Sequence, residues 1–472
     1  MSASIARLST AAVTFRYPQH GRGLAPTTLA VEAGQRLLVS GASGCGKSTL
    51  ARCLAGLIPH LYHGALGGRV DLDGLETAGT PLWQLAEHAG MVLQNPATQM
   101  LAATVEEEIV FGLENLGLAP EEVRRRVEET LAHFGLEPLR ARRPYLLSGG
   151  EQQKVALAAI MARRPPVLVL DEPLSMLDST AALALVGDLC GPALAETAIV
   201  VCEHRAEYLA GIPGLCRLEM AGPGGGAEER PAPPFEDTAA PFALHVEGLT
   251  VRLGARAVLD GLSFAARGGE VVAVVGRNGV GKTTLLRALA GLARFQGRIA
   301  VGGEFPELGM VLQNAELQLF NPTVRQEILY RLPRPDMGLY AWLRDILGLA
   351  PYEETPPLLL SDGEKKRVAL ATVLMRRPRH GVLLDEPALG QDGAHKAMLV
   401  RLARALAAAG KLVVLTTHDL TLAVRADRLL LLGADGFVAD GPPAEVLRDP
   451  RPWARIGLQV PPWLEIPPRG GR

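Results

Sequence analysis

The segment GASGCGKS, from Gly41 to Ser48, decides how the rest of this sequence is read. It follows the apolar run QRLLVS and leads into the helical run TLARCLAGLI, so it is a turn between a strand and a helix. Its glycines allow the backbone to curl so tightly that several N–H groups face one point, and the following helix aims its positive end there too. An anion belongs at such a point. Lys47 is placed to reach the outer phosphates of a nucleotide as a point charge, and Ser48 to offer a hydroxyl to Mg²⁺, which takes few protein oxygens and completes its octahedron with water and phosphate. Gly41, Ser43, Gly44, Cys45, Gly46, Lys47, Ser48 and Thr49 form the first candidate nucleotide-binding group.

The same construction returns downstream. GRNGVGKT, Gly276 to Thr283, follows EVVAVV and nominates Gly276, Asn278, Gly279, Val280, Gly281, Lys282, Thr283 and Thr284. LSGGEQQK (Leu147 to Lys154) is answered by LSDGEKKR (Leu360 to Arg367), and VLVLDEP (Val167 to Pro173) by GVLLDEP (Gly381 to Pro387), in the same order. The interval from Asp171 to His204 equals that from Asp385 to His418. A repeat of this length marks two copies of one domain. Between them AGPGGGAEERPAPPFEDTAAP, Ala221 to Pro241, has no apolar period and reads as a flexible linker; its coil dimension of about 25 Å is long enough for the two domains to face each other. The expected division is residues 1–220, a linker 221–241, and residues 242–472.

Within each half, short β-branched runs (QRLLVS, VLVLD, AIVVCE) alternate with helical stretches such as EQQKVALAAIMARR. That alternation predicts an α/β fold of parallel strands with crossover helices, which binds its ligand beyond the carboxyl ends of the strands. Asp171-Glu172 and Asp385-Glu386 fall at such ends. The aspartates suit the metal, and the glutamates can orient or deprotonate the water that attacks a γ-phosphate, because phosphoryl transfer is mostly positioning and charge stabilisation. From the residues alone the chain is a P-loop nucleoside triphosphatase, twice over.

Composition agrees and narrows the partners. At 472 residues, 48% hydrophobic and 21% charged, the chain can bury a core in each half. A formal net charge of -2 without a dense Lys/Arg block gives no electrostatic pull toward nucleic acid or an anionic membrane. Cys45, Cys53, Cys190, Cys202 and Cys216 have neither metal-ligand nor disulfide-framework spacing, which fits a reducing cytosol. The N-terminus lacks the apolar core of a signal peptide, and no stretch approaches the roughly 18 residues needed to span a bilayer, so any membrane role is expected to come through a partner.

LSGGE and LSDGE, each upstream of its Asp-Glu pair, resemble the signature motif of the ATP-binding cassette family, and the resemblance covers nearly the whole chain outside the linker. It implies two tandem cassettes, each with a mainly parallel sheet core, an antiparallel β subdomain and a helical subdomain that carries the signature. It also implies ATP and Mg²⁺, with the signature of one cassette (Ser148, Gly149, Gly150 and Glu151, or Ser361, Asp362, Gly363 and Glu364) closing head to tail over the nucleotide on the other's P-loop. By the same resemblance Gln94 and Gln313 contact the metal and the attacking water, and His204 and His418 contact the γ-phosphate. Asp178 and Asp392 couple the two sites, while Tyr17 stacks on adenine where the second half has Leu253. Asp362 departs from the pattern by replacing a glycine, which predicts that the site it closes is the slower one.

The segment after each glutamine gives the subclass. QNPATQMLAATVEEEIVFGLENLGL (Gln94 to Leu118) resembles the energising ATPases of energy-coupling factor importers, QNAELQLFNPTVRQEILY resembles them more loosely, and GLIPHLY and DGPPAEVL fit the same group. In that group the region, entered here at Gln99 and Gln318, grips the coupling helices of a transmembrane partner, and a second membrane subunit binds a vitamin, vitamin precursor or transition metal. The implied place of work is the cytoplasmic face of the cell membrane, held peripherally through those partners. The rival class, a twin-cassette ATPase acting on ribosomes or DNA, requires an added arm or a basic inter-domain helix, whereas this linker is acidic and Pro-rich.

Overall fold

The computed structural model describes residues 6–18, 23–42, 44–221, 241–254, 256–389 and 391–466. Ser43 and all of the expected linker except its end residues Ala221 and Pro241 lie outside them. The chain divides into two compact units, the first made of residues 6–177 and 181–221, the second of residues 241–466 together with Asp178–Thr180.

In the first unit the fully apolar runs become the centre of a parallel sheet. Its strand order is Ala89–Val92, Val167–Asp171, Ala198–Cys202, Arg36–Gly41, Cys216–Met220, and every neighbouring pair is parallel. Val167–Asp171 and Ala198–Cys202 are buried at every position, as strands covered on both faces must be, which is why VLVLD and AIVVC read as unbroken apolar runs. A second, antiparallel sheet orders Gly23–Val31, Leu8–Arg16, Ala65–Leu72 and Leu75–Glu76. Its Leu8, Val13, Phe15, Val31 and Leu72 share one core with the P-loop helix residues Leu50 and Leu54. A third portion is helical. Val105–Glu114, Pro120–Phe134 and Gly149–Ala162 bury Ile109, Leu113, Val127, Leu131 and Val155 in a core of their own.

The second unit repeats this plan. Its larger sheet runs Leu308–Val311, Gly381–Asp385, Leu412–Thr416, Val271–Val275, Arg428–Gly433, all parallel, with Gly436–Gly441 added antiparallel at the edge. Arg256–Arg267, Ala243–Leu253 and Gln296–Val301 form the antiparallel sheet. Val324–Leu329, Met337–Ile346 and Asp362–Met375 form the helical portion. Both units therefore have the fold expected for a cassette ATPase. No helix among the described residues is long and apolar enough to cross a membrane.

Candidate functional site

In the first unit the strand Arg36–Gly41 delivers the chain into the glycine-rich turn, and the helix Lys47–Leu54 leaves it. Gly46 stands at that helix's N-cap with φ 104°, where no side chain supplies a capping bond, so the first amides remain free for an anion. A Cβ at Gly46 would sit 2.9 Å from the Gly23 carbonyl oxygen, and one at Gly41 2.5 Å from that of Met220. Both positions require glycine. Lys47 is buried and folds back over the turn, its Nζ donating to the carbonyls of Gly41 (2.9 Å) and Ala42 (3.0 Å). Gly44 is exposed, while Cys45 and Thr49 are buried.

The acidic pair at the end of Val167–Asp171 meets this turn. Ser48 Oγ donates to Asp171 Oδ1 at 3.0 Å. Burial, with Glu172 adjacent, pushes the Asp171 carboxyl up to about 7 against the pull of Ser48, Arg52 and Lys47. Glu172 is gripped twice, by Gln94 Nε2 at 2.8 Å and by His204 Nε2 at 3.1 Å. Gln94, Glu172 and His204 thus form one chain of contacts beside Asp171, Ser48 and Lys47.

The second unit builds the same site with different detail. Gly281 (φ 111°) opens the helix Lys282–Leu289, and Lys282 Nζ donates to the carbonyls of Gly276 (2.8 Å) and Arg277 (3.2 Å). Gly276 is buried, Val280 and Thr284 are half-buried, and Asn278 and Gly279 are exposed. Thr283 Oγ1 donates to Asp385 Oδ1 at 3.1 Å, and Thr416 Oγ1 donates to the same oxygen at 2.7 Å. Glu386 lies 2.9 Å from His418 Nδ1 and 3.9 Å from Lys282 Nζ. Burial would raise its carboxyl, but His418 and Lys282 outweigh that and hold it at about 2. Gln313 follows the strand Leu308–Val311 as Gln94 follows Ala89–Val92.

Magnesium fits this donor set. In each unit a hydroxyl and a carboxylate converge at the mouth of the phosphate turn, and Asp385 Oδ2 is buried without a hydrogen-bond partner among the described residues. A hard cation beside Ser48 and Asp171, or Thr283 and Asp385, would answer that lone oxygen and neutralise phosphate charge. Both glutamates also belong to a small set of described non-glycine residues with positive φ, alongside Ala12, Asp73, Arg164, Arg331 and Arg377. Glu172 has φ 51° and Glu386 φ 47°, left-handed values that cost a side chain about 1–3 kcal/mol and persist where function demands them.

The signature residues form capping boxes. Ser148 Oγ accepts from Glu151 N at 3.4 Å while Glu151 Oε2 accepts from Ser148 N at 2.8 Å, opening the helix Gly149–Ala162. Ser361 and Glu364 repeat this at 3.4 and 2.9 Å, opening Asp362–Met375. Gly150 is buried, and a Cβ at Gly149 would meet Met176 Sδ at 2.7 Å. A Cβ at Gly363 would meet Gln391 Nε2 at 2.8 Å. The Asp362 side chain is 76% exposed, so its charge stands in water at the helix mouth with Lys365 3.9 Å away.

Tyr17 packs edge-on against Phe15 and its hydroxyl receives Arg52 at 3.0 Å, which places it at the P-loop helix, whereas Leu253 is 62% exposed. Gln99 and Gln318 close their own loops, each accepting from one backbone amide (Leu93, Leu312) and donating to one carbonyl (Met91, Met310). Asp392 caps the helix Gly393–Ala408 through His395 N at 2.9 Å, and Asp178 is buried. Sequence reasoning passed over Thr416 and its counterpart Cys202, and also Glu203, Arg205, Gln153 and Lys366. Each sits one to three residues from a recognised motif, and aligning the two halves position by position would have exposed them as differences.

Fold and site together define a P-loop nucleoside triphosphatase present in duplicate. A family model described as ABC transporter matches residues 24–175 and 259–389. A chain from Streptomyces avermitilis, provisionally named an ABC transporter ATP-binding protein, is 36% identical, covering 88% of this chain and 90% of its own length. A Bacillus subtilis chain provisionally named the HMP/thiamine import ATP-binding protein YkoD is 32% identical, covering 88% of each. Among solved structures, a chain in the complex of archaeal ribosomal stalk protein aP1 with an archaeal ribosome recycling factor matches with a TM-score of 0.64 at 21% identity, over 94% of this chain and 92% of that one; at that identity the likeness is one of fold. The chain belongs to the ABC transporter family, as a twin-cassette ABC ATPase.

Proposed function

We propose that this ATPase energises an energy-coupling factor-type importer, driving uptake of a small micronutrient (a vitamin, a vitamin precursor or a transition metal) through separate membrane subunits. In this reading Lys47 and Lys282 hold the phosphates of two ATP molecules, Ser48 with Asp171 and Thr283 with Asp385 hold Mg²⁺, and each nucleotide is closed by the signature helix of an opposed cassette. Gln94, Gln313 and the metal orient the attacking water. Glu172 and Glu386 accept its proton, and His204 and His418 hold each glutamate in place beside the γ-phosphate.

The observation that carries the transporter reading lies just beyond each glutamine. Leu101 is 74% exposed and Phe111 50% in the first unit, and Leu317 is 70% and Phe320 65% in the second, so both units offer apolar side chains to a partner at the same place. In the first unit Leu101 precedes the helix Val105–Glu114 and Phe111 lies on it, and the first turn carries the half-buried Glu106 and the exposed Glu107, while Glu108 is buried and accepts from the amides of Leu101 and Ala102. Apolar and acidic groups together suit a basic amphipathic helix from a transmembrane coupling subunit. The enzyme then works peripherally at the cytoplasmic face of the membrane, beside a second, substrate-binding membrane subunit.

Purification of the tagged chain from detergent-solubilised membranes tests this reading. Small integral membrane proteins should co-purify, and ATPase turnover should rise several-fold in their presence. Stimulation by ribosomes or nucleic acid instead, with no integral protein retained, would establish the rival reading.

A further inference from the structure

Behind each candidate hydrolytic carboxylate runs a short segment, Leu174–Leu177 after Glu172 and Ala388 with Leu389 after Glu386. Its carbonyls need partners in both units. In the first unit the partner is Arg205, one residue past His204. It is buried, its NH1 donates to the carbonyls of Leu174 (2.8 Å) and Leu177 (3.1 Å), and its guanidinium lies 4.3 Å from the centre of the Tyr208 ring. Glu203, the residue before His204, completes the clip. Its carboxylate, 1% exposed, accepts from the backbone amides of Leu174 (3.1 Å), His204 (2.7 Å) and Arg205 (3.0 Å). The two charges flank the histidine and bind its loop to the loop behind Glu172.

The second unit has neither charge there. Thr417 and Asp419 occupy the places of Glu203 and Arg205, and Asp419 is turned to Lys396 at 2.6 Å and to capping the next helix. The carbonyl grip comes from another element. Lys366, on the signature helix Asp362–Met375, donates to the carbonyls of Leu389 (2.8 Å) and Glu386 (3.3 Å). In the first unit the residue aligned with Lys366 is Gln153, fully buried, with Nε2 and Oε1 both lacking a hydrogen-bond partner. The signature helix of that unit therefore makes no such grip through this position.

We propose that the two cassettes wire the loop behind the hydrolytic glutamate to different elements: Arg205 and Glu203 tie it to the histidine loop in the first, and Lys366 ties it to the signature helix in the second. Arg205 and Glu203 are then positioning residues for Glu172 and His204, and Lys366 for Glu386. In the first cassette a displacement of His204 on γ-phosphate loss is passed straight to the loop that leads to Asp178. In the second, the loop that leads to Asp392 follows the signature helix.

The proposal rests on the site reading given above, and the experiment separates the two. Amide hydrogen exchange on the full chain reads the wiring whether or not Glu172 proves to be the hydrolytic carboxylate. Arg205→Met should speed exchange at 173–177 and 203–206 together, leaving 387–392 unchanged, and Lys366→Met should speed it at 387–391 and 362–366, leaving 417–420 unchanged. Even loosening of a whole unit, or speeding at 417–420 in Lys366→Met, would overturn the wiring. In the Glu386→Gln chain, where the remaining turnover comes from the Glu172 site, Arg205→Met should also lower kcat about tenfold with KM for ATP within about twofold, the signature of lost positioning. Arg205→Lys should recover part of that loss, and Gln153→Lys added to Arg205→Met should recover part of it by importing the second unit's grip. An unchanged kcat, or an equal rise in KM, would overturn the positioning role.

Discussion

Asp171 and Asp385 occupy equivalent places and differ by one hydroxyl. Asp385 accepts from both Thr283 and Thr416, whereas Asp171 accepts from Ser48 and has Cys202 where Thr416 stands. A buried carboxylate with one hydrogen bond fewer is less stable as an anion, consistent with the rise of Asp171 to about 7. Thr416→Val is therefore expected to weaken Mg²⁺-dependent nucleotide binding at the second P-loop several-fold, read by titrating Mg²⁺ against a fluorescent ATP analogue; unchanged binding would remove the hydroxyl from the metal site's design. Asp362 acts at the same scale. Its carboxylate stands at a helix mouth where a phosphate is proposed to dock, and like charges oppose closure. Glu386→Gln should accordingly abolish most turnover and Glu172→Gln spare much of it, while Asp362→Gly raises the turnover left in the Glu386→Gln chain. The opposite ranking of the two glutamines would remove Asp362 as the cause of asymmetry. These residues also mark the limit of sequence reading. Lys47, Ser48, Asp171 and Glu172 are legible because phosphate chemistry dictates their spacing, while Glu203 and Gln153 obey no motif and gain meaning only from what they touch.

At the scale of elements, the helices that carry function are begun by side chains whose purpose sequence does reveal. Thr104 with Glu107, Ser148 with Glu151 and Ser361 with Glu364 form complete capping boxes. Removing a cap of this kind costs about 1 kcal/mol. Ser148→Ala should therefore lower the midpoint of thermal unfolding by only a few degrees, yet depress turnover far more if the serine also meets phosphate. A loss of turnover no larger than the loss of stability would reduce Ser148 to a structural cap. The helical portion is held mainly by packing, and Ile109→Ala, which empties a fully buried site, should cost about 2–5 kcal/mol in chemical denaturation. Parallel strands were equally legible, since a strand covered on both faces has to be apolar throughout. The short edge strand Gly436–Gly441 was not, because its residues are only partly buried and carry no clean alternation.

Across the molecule, duplication was plain from the order of motifs, and the structure gives each copy its own sheet, its own hydrophobic core and its own phosphate turn. Two lysines each fold over their own turn, so each site is expected to take up its own nucleotide. Lys47→Ala and Lys282→Ala should each remove about one of two bound nucleotides in equilibrium dialysis, and the double variant both. Retention of ATP by the double variant would place the nucleotide elsewhere.

The left-handed backbone of Glu172 and Glu386 has one more outcome. An alanine there keeps the penalty of that conformation while discarding the carboxylate, but a glycine relieves it. The chain bearing Glu172→Gly should therefore melt higher than the one bearing Glu172→Ala. The difference would show how much conformational ease each half forgoes to keep an acid where a bare hinge would rest more comfortably.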